Sequence, residues 1–180
     1  MTATGPSVTP APSARPWWVV PAVQGGLILA LFAAVGALSG RVWWVLWSPA
    51  PKGIVYQGNW VPQPYAEGER ADFAGTGWYV VVAVVAGLLL GVLAGLLLDR
   101  NELVTLVAVA AGSALAAWLM LRVGVSFSAP DPEVLAETAK EGSELPGRLD
   151  LAGNSPLLAF PIGSVAGLAI ALFGISKHRG

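Results

Sequence analysis

The chain has 180 residues, of which 55% are hydrophobic and 12% charged, with a mean hydropathy of +0.66 and a net charge of −1. An average soluble domain is about 25% charged, so this composition excludes disorder throughout and speaks against a water-soluble fold. The chain has no cysteine, which excludes disulfides and thiolate metal sites, and its charge balance offers no basic stripe for nucleic acid.

Residues 1–16, MTATGPSVTPAPSARP, are rich in proline and small polar residues and predict a disordered cytoplasmic tail. Trp17 to Ser39 contains no charged residue. At 1.5 Å per residue about 23 residues reach roughly 34 Å, enough to cross a bilayer. Ala37-Leu38-Ser39 loosely resembles a signal cleavage site, but the apolar run is about twice the usual signal core, so it reads as a retained span. After Arg41 the apolar character resumes in Val42-Trp43-Trp44-Val45-Leu46-Trp47. This is either one long helix, with the arginine snorkelling until Pro49 ends it, or a short interfacial helix starting near Arg41.

The loop that follows holds Lys52 to Pro62, with β-branched and aromatic residues flanking Gly58-Asn59, a two-residue hairpin signal. A lone hairpin is marginal in water, and Arg148-Leu149-Asp150-Leu151 is the candidate third strand. Tyr56 and Trp60 are the candidate contact residues of this loop, although packing of the β-element is the simpler task for Trp60. The second span is 77–98. The short turn Asp99 to Glu102, with Asn101 as a helix cap, predicts an antiparallel hairpin with the third span, 103–121. In the next loop Asp131-Pro132-Glu133 reads as N-cap, first-turn proline and favourable acid, opening a short helix that runs to Glu141 and stops at Gly142. The fourth span is 155–176, with Pro161 in its first turns, and 177–180 is a cytoplasmic tail.

The expected fold is an all-α membrane protein: one four-transmembrane-helix bundle over 17–176, with a small extracytoplasmic β-hairpin and short helix in the outer loops, 40–76 and 122–154. The tails and the 99–102 turn carry four Lys or Arg against two acids, and the two long loops six against nine. The shorter, more basic segments place both termini in the cytoplasm, in a multi-pass protein of the cytoplasmic membrane.

In lipid, helices associate through small residues that let backbones approach. Ala83, Gly87, Gly91 and Gly95 line one face of the second span, and Ala159, Gly163, Gly167 and Ala171 one face of the fourth. Ala108, Gly112 and Ala116 do so in the third, and Gly26, Ala30 and Ala34 are the equivalent set in the first. These stripes predict an intramolecular bundle, and a homo-oligomer is the lesser reading. The interior polar set is Gln24, Thr105, Ser113 and Ser164, with no ionisable residue at depth. The tryptophans fit interfacial anchors: Trp17 and Trp18 on one side, Trp43, Trp44, Trp47, Trp78 and Trp118 on the other.

The segments VWWVLWSPAP (42–51), FAGTGWYVVVAVVAGLLLGVLAG (73–95), ELVTLVAVAAGSALAAWLM (102–120) and APDPEVLA leading to LAFPIGS occur in this order along the chain. The set resembles an uncharacterised family of small four-span membrane proteins from high-GC actinobacteria, defined by a domain of unknown function. The resemblance implies location and topology and assigns no catalytic or binding residues.

No nucleophile, base and orienting group stand together, so no catalytic, cofactor-binding or metal residue is expected; the lone His178 reads as part of a solvated tail. Glu67, Glu69, Asp72, Asp131, Glu133 and Glu137 lack calcium-loop spacing. The leading expectation is a non-enzymatic accessory or interaction protein of the cell envelope, with the lipid bilayer and an envelope protein as partners and no nucleic acid. The alternative is a small carrier or channel subunit for an apolar or small solute.

Overall fold

In the computed structural model of the chain, residue 16 and residues 19–97 and 102–176 are described. The tail, Trp17, Trp18, the turn residues Asp99 to Asn101 and the Lys177-His178-Arg179 terminus lie outside them. The elements are α1 (Val19–Trp47), β1 (Lys52–Tyr56), β2 (Asn59–Pro62), α2 (Tyr65–Leu97), α3 (Glu102–Ser126), α4 (Pro132–Ala136), β3 (Glu144–Pro146) and, after a 3-10 turn at Ser155–Leu158, α5 (Ala159–Ser176). Four of the helices are long and apolar enough to cross a membrane, and their outward faces carry large apolar residues such as Leu27, Leu38, Leu89, Ile162 and Phe173, a surface suited to lipid.

The helices overrun the apolar stretches at one end. α1 continues unbroken through Arg41 to Trp47, because no residue breaks it until Pro49. α2 begins three turns before the apolar run, at Tyr65, and α3 continues to Ser126. Pro161 is the third residue of α5, where an amide donor has no helical acceptor to lose.

Two close pairs build the bundle: α1 packs most extensively on α3, and α2 on α5. Both pairs are parallel. Gln24 meets Thr105 and Gly36 meets Ala116 along the first, while Gly87 meets Ser164 and Gly95 meets Ala171 along the second. The expected α2/α3 hairpin is corrected in one respect. These consecutive helices run oppositely but touch only slightly, because each spends its small-residue face on another partner.

The loops converge at one end of the bundle as a cap. There β2, β1 and β3 form an antiparallel sheet in that order. The hairpin register pairs Tyr56 with Asn59, so the turn residues are Gln57 and Gly58, one position earlier than the Gly-Asn pair suggested. Both have positive φ, 51° and 76°, as a hairpin turn matched to strand twist requires. The third strand is Glu144–Pro146 rather than 148–151. α4 stops at Ala136 instead of Glu141, since the chain must turn back for Gly142 N–H to donate to the Val55 carbonyl and Ser143 C=O to accept from Val55. Tertiary pairing here overrides helix propensity.

Candidate functional site

The seam of α2 and α5 is backbone against backbone. A methyl group on Gly87 would lie 2.5 Å from the Phe160 carbonyl oxygen, one on Gly163 2.5 Å from the Val84 oxygen, and one on Gly95 2.6 Å from the Ala171 methyl. Gly91 against the Ser164 carbonyl and Gly167 against the Leu88 carbonyl leave less room still. Ala83 is fully buried on the same face.

The seam of α1 and α3 is mixed. Gly112 receives the ring of Phe32, Gly124 that of Trp43, and Gly36 and Gly40 approach Ala116 and Met120 directly. Near the other end the Gln24 side-chain amide donates to the Thr105 hydroxyl at 2.8 Å, with both side chains buried. The small-residue stripe expected in the first span is corrected: Gly26, Ala30 and Ala34 face outward, and the buried face runs through Gln24, Ile28, Phe32, Gly36 and Gly40. Gln24 sets this phase, because its amide is costly in lipid and finds an acceptor only inside. The Ser113 and Ser164 hydroxyls donate back to the Ala110 and Phe160 carbonyls of their own helices. Among the described residues no buried side-chain nitrogen or oxygen lacks a partner, and no three His, Asp or Glu side chains are placed to hold a metal ion.

The cap is bolted to the bundle. Trp43 and Trp47 are core residues rather than interfacial anchors: their indoles donate to the Gly75 and Ala71 carbonyls of α2, at 2.7 and 3.2 Å. Trp43 also stands edge-on to Tyr79, whose hydroxyl donates to the Ala117 carbonyl of α3. Leu149, from the loop after β3, is fully buried beside Trp47 and Gly75, and its amide donates to the Ser128 hydroxyl. Trp60 lies over Gly53 and Gly147 and donates to the Leu145 carbonyl, so it packs the sheet. Tyr56 is 56% exposed at the end of β1. Trp78 and Trp118 face outward, and the Arg41 guanidinium sits in the angle between the touching rings of Trp44 and Phe127, 4.3 and 4.6 Å from their centroids.

Beside the cap, where α3 leaves the apolar region, lies an open cleft of about 800 Å³. Its lower wall is Trp118, Leu121, Arg122 and Val125 of α3; its upper wall, from the loops, bears Asp131, Arg148 and Asp150. Arg122 lies 5.5 Å above the Trp118 ring, and Arg148 bridges Asp131 at 3.3 Å. Asp72, in the polar first turns of α2, has its carboxyl raised above the ordinary range, by burial first and by the charge of Asp150 second. A separate apolar groove of about 430 Å³ runs between α1 and α2 over Val35, Val42, Val81 and Leu89. Sequence reasoning passed over this cleft, although an arginine four residues after a tryptophan at a span end places both on one helix face. No protein-family model matches the chain, and no curated protein or solved structure matches it either.

Proposed function

We propose that the protein is a non-enzymatic accessory protein of the cytoplasmic membrane, with both termini inside and the cap outside, and that the cap docks an envelope protein. The observation that carries this reading is the attachment of the cap. Leu149, buried beside Trp47 and Gly75, the Ala152 amide donating to the Thr76 hydroxyl of α2, and Pro62 of β2 against Gly68 of α2 hold the cap in a fixed pose over the bundle, which suits a platform for a partner. The close-packed seams leave side chains, rather than a polar path, between the helices, which favours a scaffold over a conduit. The resemblance to the actinobacterial four-span family agrees with this location.

The docking face is read from Tyr56 and Val134, both exposed on the cap. Crosslinking through Lys52 and Lys140 in native membranes, followed by mild-detergent purification and mass spectrometry, tests it. A stoichiometric partner, lost when Tyr56 and Val134 are both changed to Ser, is the expected result. Purification without a partner, or with one the double variant retains, overturns the docking reading. A reporter after His178 that proved extracytoplasmic would overturn the orientation.

A further inference from the structure

We propose that the cleft beside the cap binds a zwitterionic phospholipid headgroup of the phosphoethanolamine class, with its phosphate on Arg122 and its primary ammonium on Asp150. The proposal rests on the membrane-spanning reading above and goes beyond it by assigning a ligand.

The first argument is the gradient of the walls. Trp118, Leu121, Arg122 and Val125 share one face of α3 at helical spacing, so the floor of the cleft is continuous with the lipid-facing surface, where Trp118 is half exposed. The opposite wall, from the loops, is polar. A ligand that fills such a space has a charged head and an apolar body. Tryptophan and arginine one turn apart at a span end also mark headgroup depth.

The second argument is the charge inventory. The walls hold two guanidinium groups and two carboxylates. Arg148 and Asp131 satisfy each other at 3.3 Å. Among the described residues Arg122 and Asp150 have no ion-pair partner, although both border the same cleft. One oxygen of Asp150 accepts from the Leu151 amide, which leaves the other. An unpaired cation and an unpaired anion across one cavity are complementary to a ligand carrying both signs. A guanidinium matches the phosphate fork, and a primary ammonium donates to a carboxylate where a quaternary one has no proton to give. The Asp72 carboxyl is raised first by burial and second by the charge of Asp150, so a cation at that end would face two neighbouring carboxyl groups. An anionic glycerol headgroup would satisfy Arg122 equally but bring only neutral hydroxyls to Asp150, leaving that carboxylate without a counter-charge.

The test uses the full-length protein, purified in mild detergent and titrated with phosphatidylethanolamine, phosphatidylglycerol and phosphatidylcholine of matched chains, with retained lipid read by native mass spectrometry. Phosphatidylethanolamine is retained preferentially by the wild type. Arg122→Gln lowers phospholipid retention about ten-fold, the loss expected for one charge-assisted contact. Asp150→Asn removes the preference for ethanolamine over glycerol while glycerol lipid stays bound. Arg41→Gln, an arginine on its own aromatic shelf outside the cleft, behaves as wild type. Equal retention of the three lipids by the wild type, or wild-type retention by Arg122→Gln, overturns the proposal. Carbonate extraction of the same membranes separates the two readings: release by carbonate sinks the spanning reading, whereas a carbonate-resistant protein that does not discriminate among lipids sinks the headgroup proposal alone.

Discussion

The two helix pairs solve one problem with different chemistry. α2 and α5 meet through Gly87, Gly91, Gly163 and Gly167, with carbonyl oxygens where a side chain would otherwise stand. α1 and α3 change means along their length, from the Gln24–Thr105 bond, to Phe32 in the hole at Gly112, to backbone contact at Gly36, to Trp43 over Gly124. Lipid tails are as apolar as leucine, so burial does not drive either pair together, and each must find its stability in contact density or hydrogen bonds. The glycine seam concentrates its stability in the absence of four side chains. The mixed seam distributes it, and so tolerates loss at any one point better.

The sharpest way to break the comparison is Gly91→Leu. The new side chain meets the Ser164 and Leu168 backbone, so α2 and α5 must separate; a loss of about 3 kcal/mol, at the upper end of overpacking costs, is expected from reversible unfolding in bicelles. A loss near zero would show that this seam is not close-packed. In the mixed seam Trp43→Phe keeps the ring over Gly124 but removes the donor to Gly75, and about 1 kcal/mol is expected by the same assay. Smaller again is the coupling of Gln24 and Thr105. A double-mutant cycle of Gln24→Leu and Thr105→Val should give about 0.6 kcal/mol, the usual size for such bonds between helices in a membrane. The smallest effect is the most diagnostic of phase: a methyl on Gly26 meets nothing within 4 Å, so Gly26→Ala leaves stability unchanged or slightly raised through helix propensity. A loss above about 1 kcal/mol there would mean that this face of α1 is covered, and would revive an oligomer.

The sequence showed small-residue faces on all four spans but not the contrast between the two seams, and the misses have specific causes. The four-residue spacing of Ala83 to Gly95 and Ala159 to Ala171 marked a small-residue face on each of α2 and α5, but not that the two faces meet, because spacing within a helix does not name its partner. The same rule misplaced the first helix, where Gly26, Ala30 and Ala34 were equally small but the polar Gln24 governed the phase. The hairpin was visible, yet its turn is Gln57-Gly58. A non-glycine residue at φ 51° is hard to anticipate, and Gln57 is held by its backbone N–H donating to the Glu141 carboxylate, 84 positions away. Trp43 and Trp47 resembled anchors because composition does not reveal that Gly75 and Ala71 would present carbonyls to them. The cleft joins Arg122 to loop residues about 26 to 28 positions later, a juxtaposition that only the folded loop creates.

Trp43, Trp47 and Tyr79 each tie one close pair to the other, and all three bonds lie near the cap. Two rods riveted at one end behave as tongs, with little play at the rivet and leverage that grows toward the tips. Because the chain has no native cysteine, spin labels at Leu27 and Leu96, near the tips, and at Leu46 and Trp78, near the rivet, can compare the two ends directly. A broader distance distribution at the tips is the signature of such a pivot, and equal widths would mean that the two pairs move as one block.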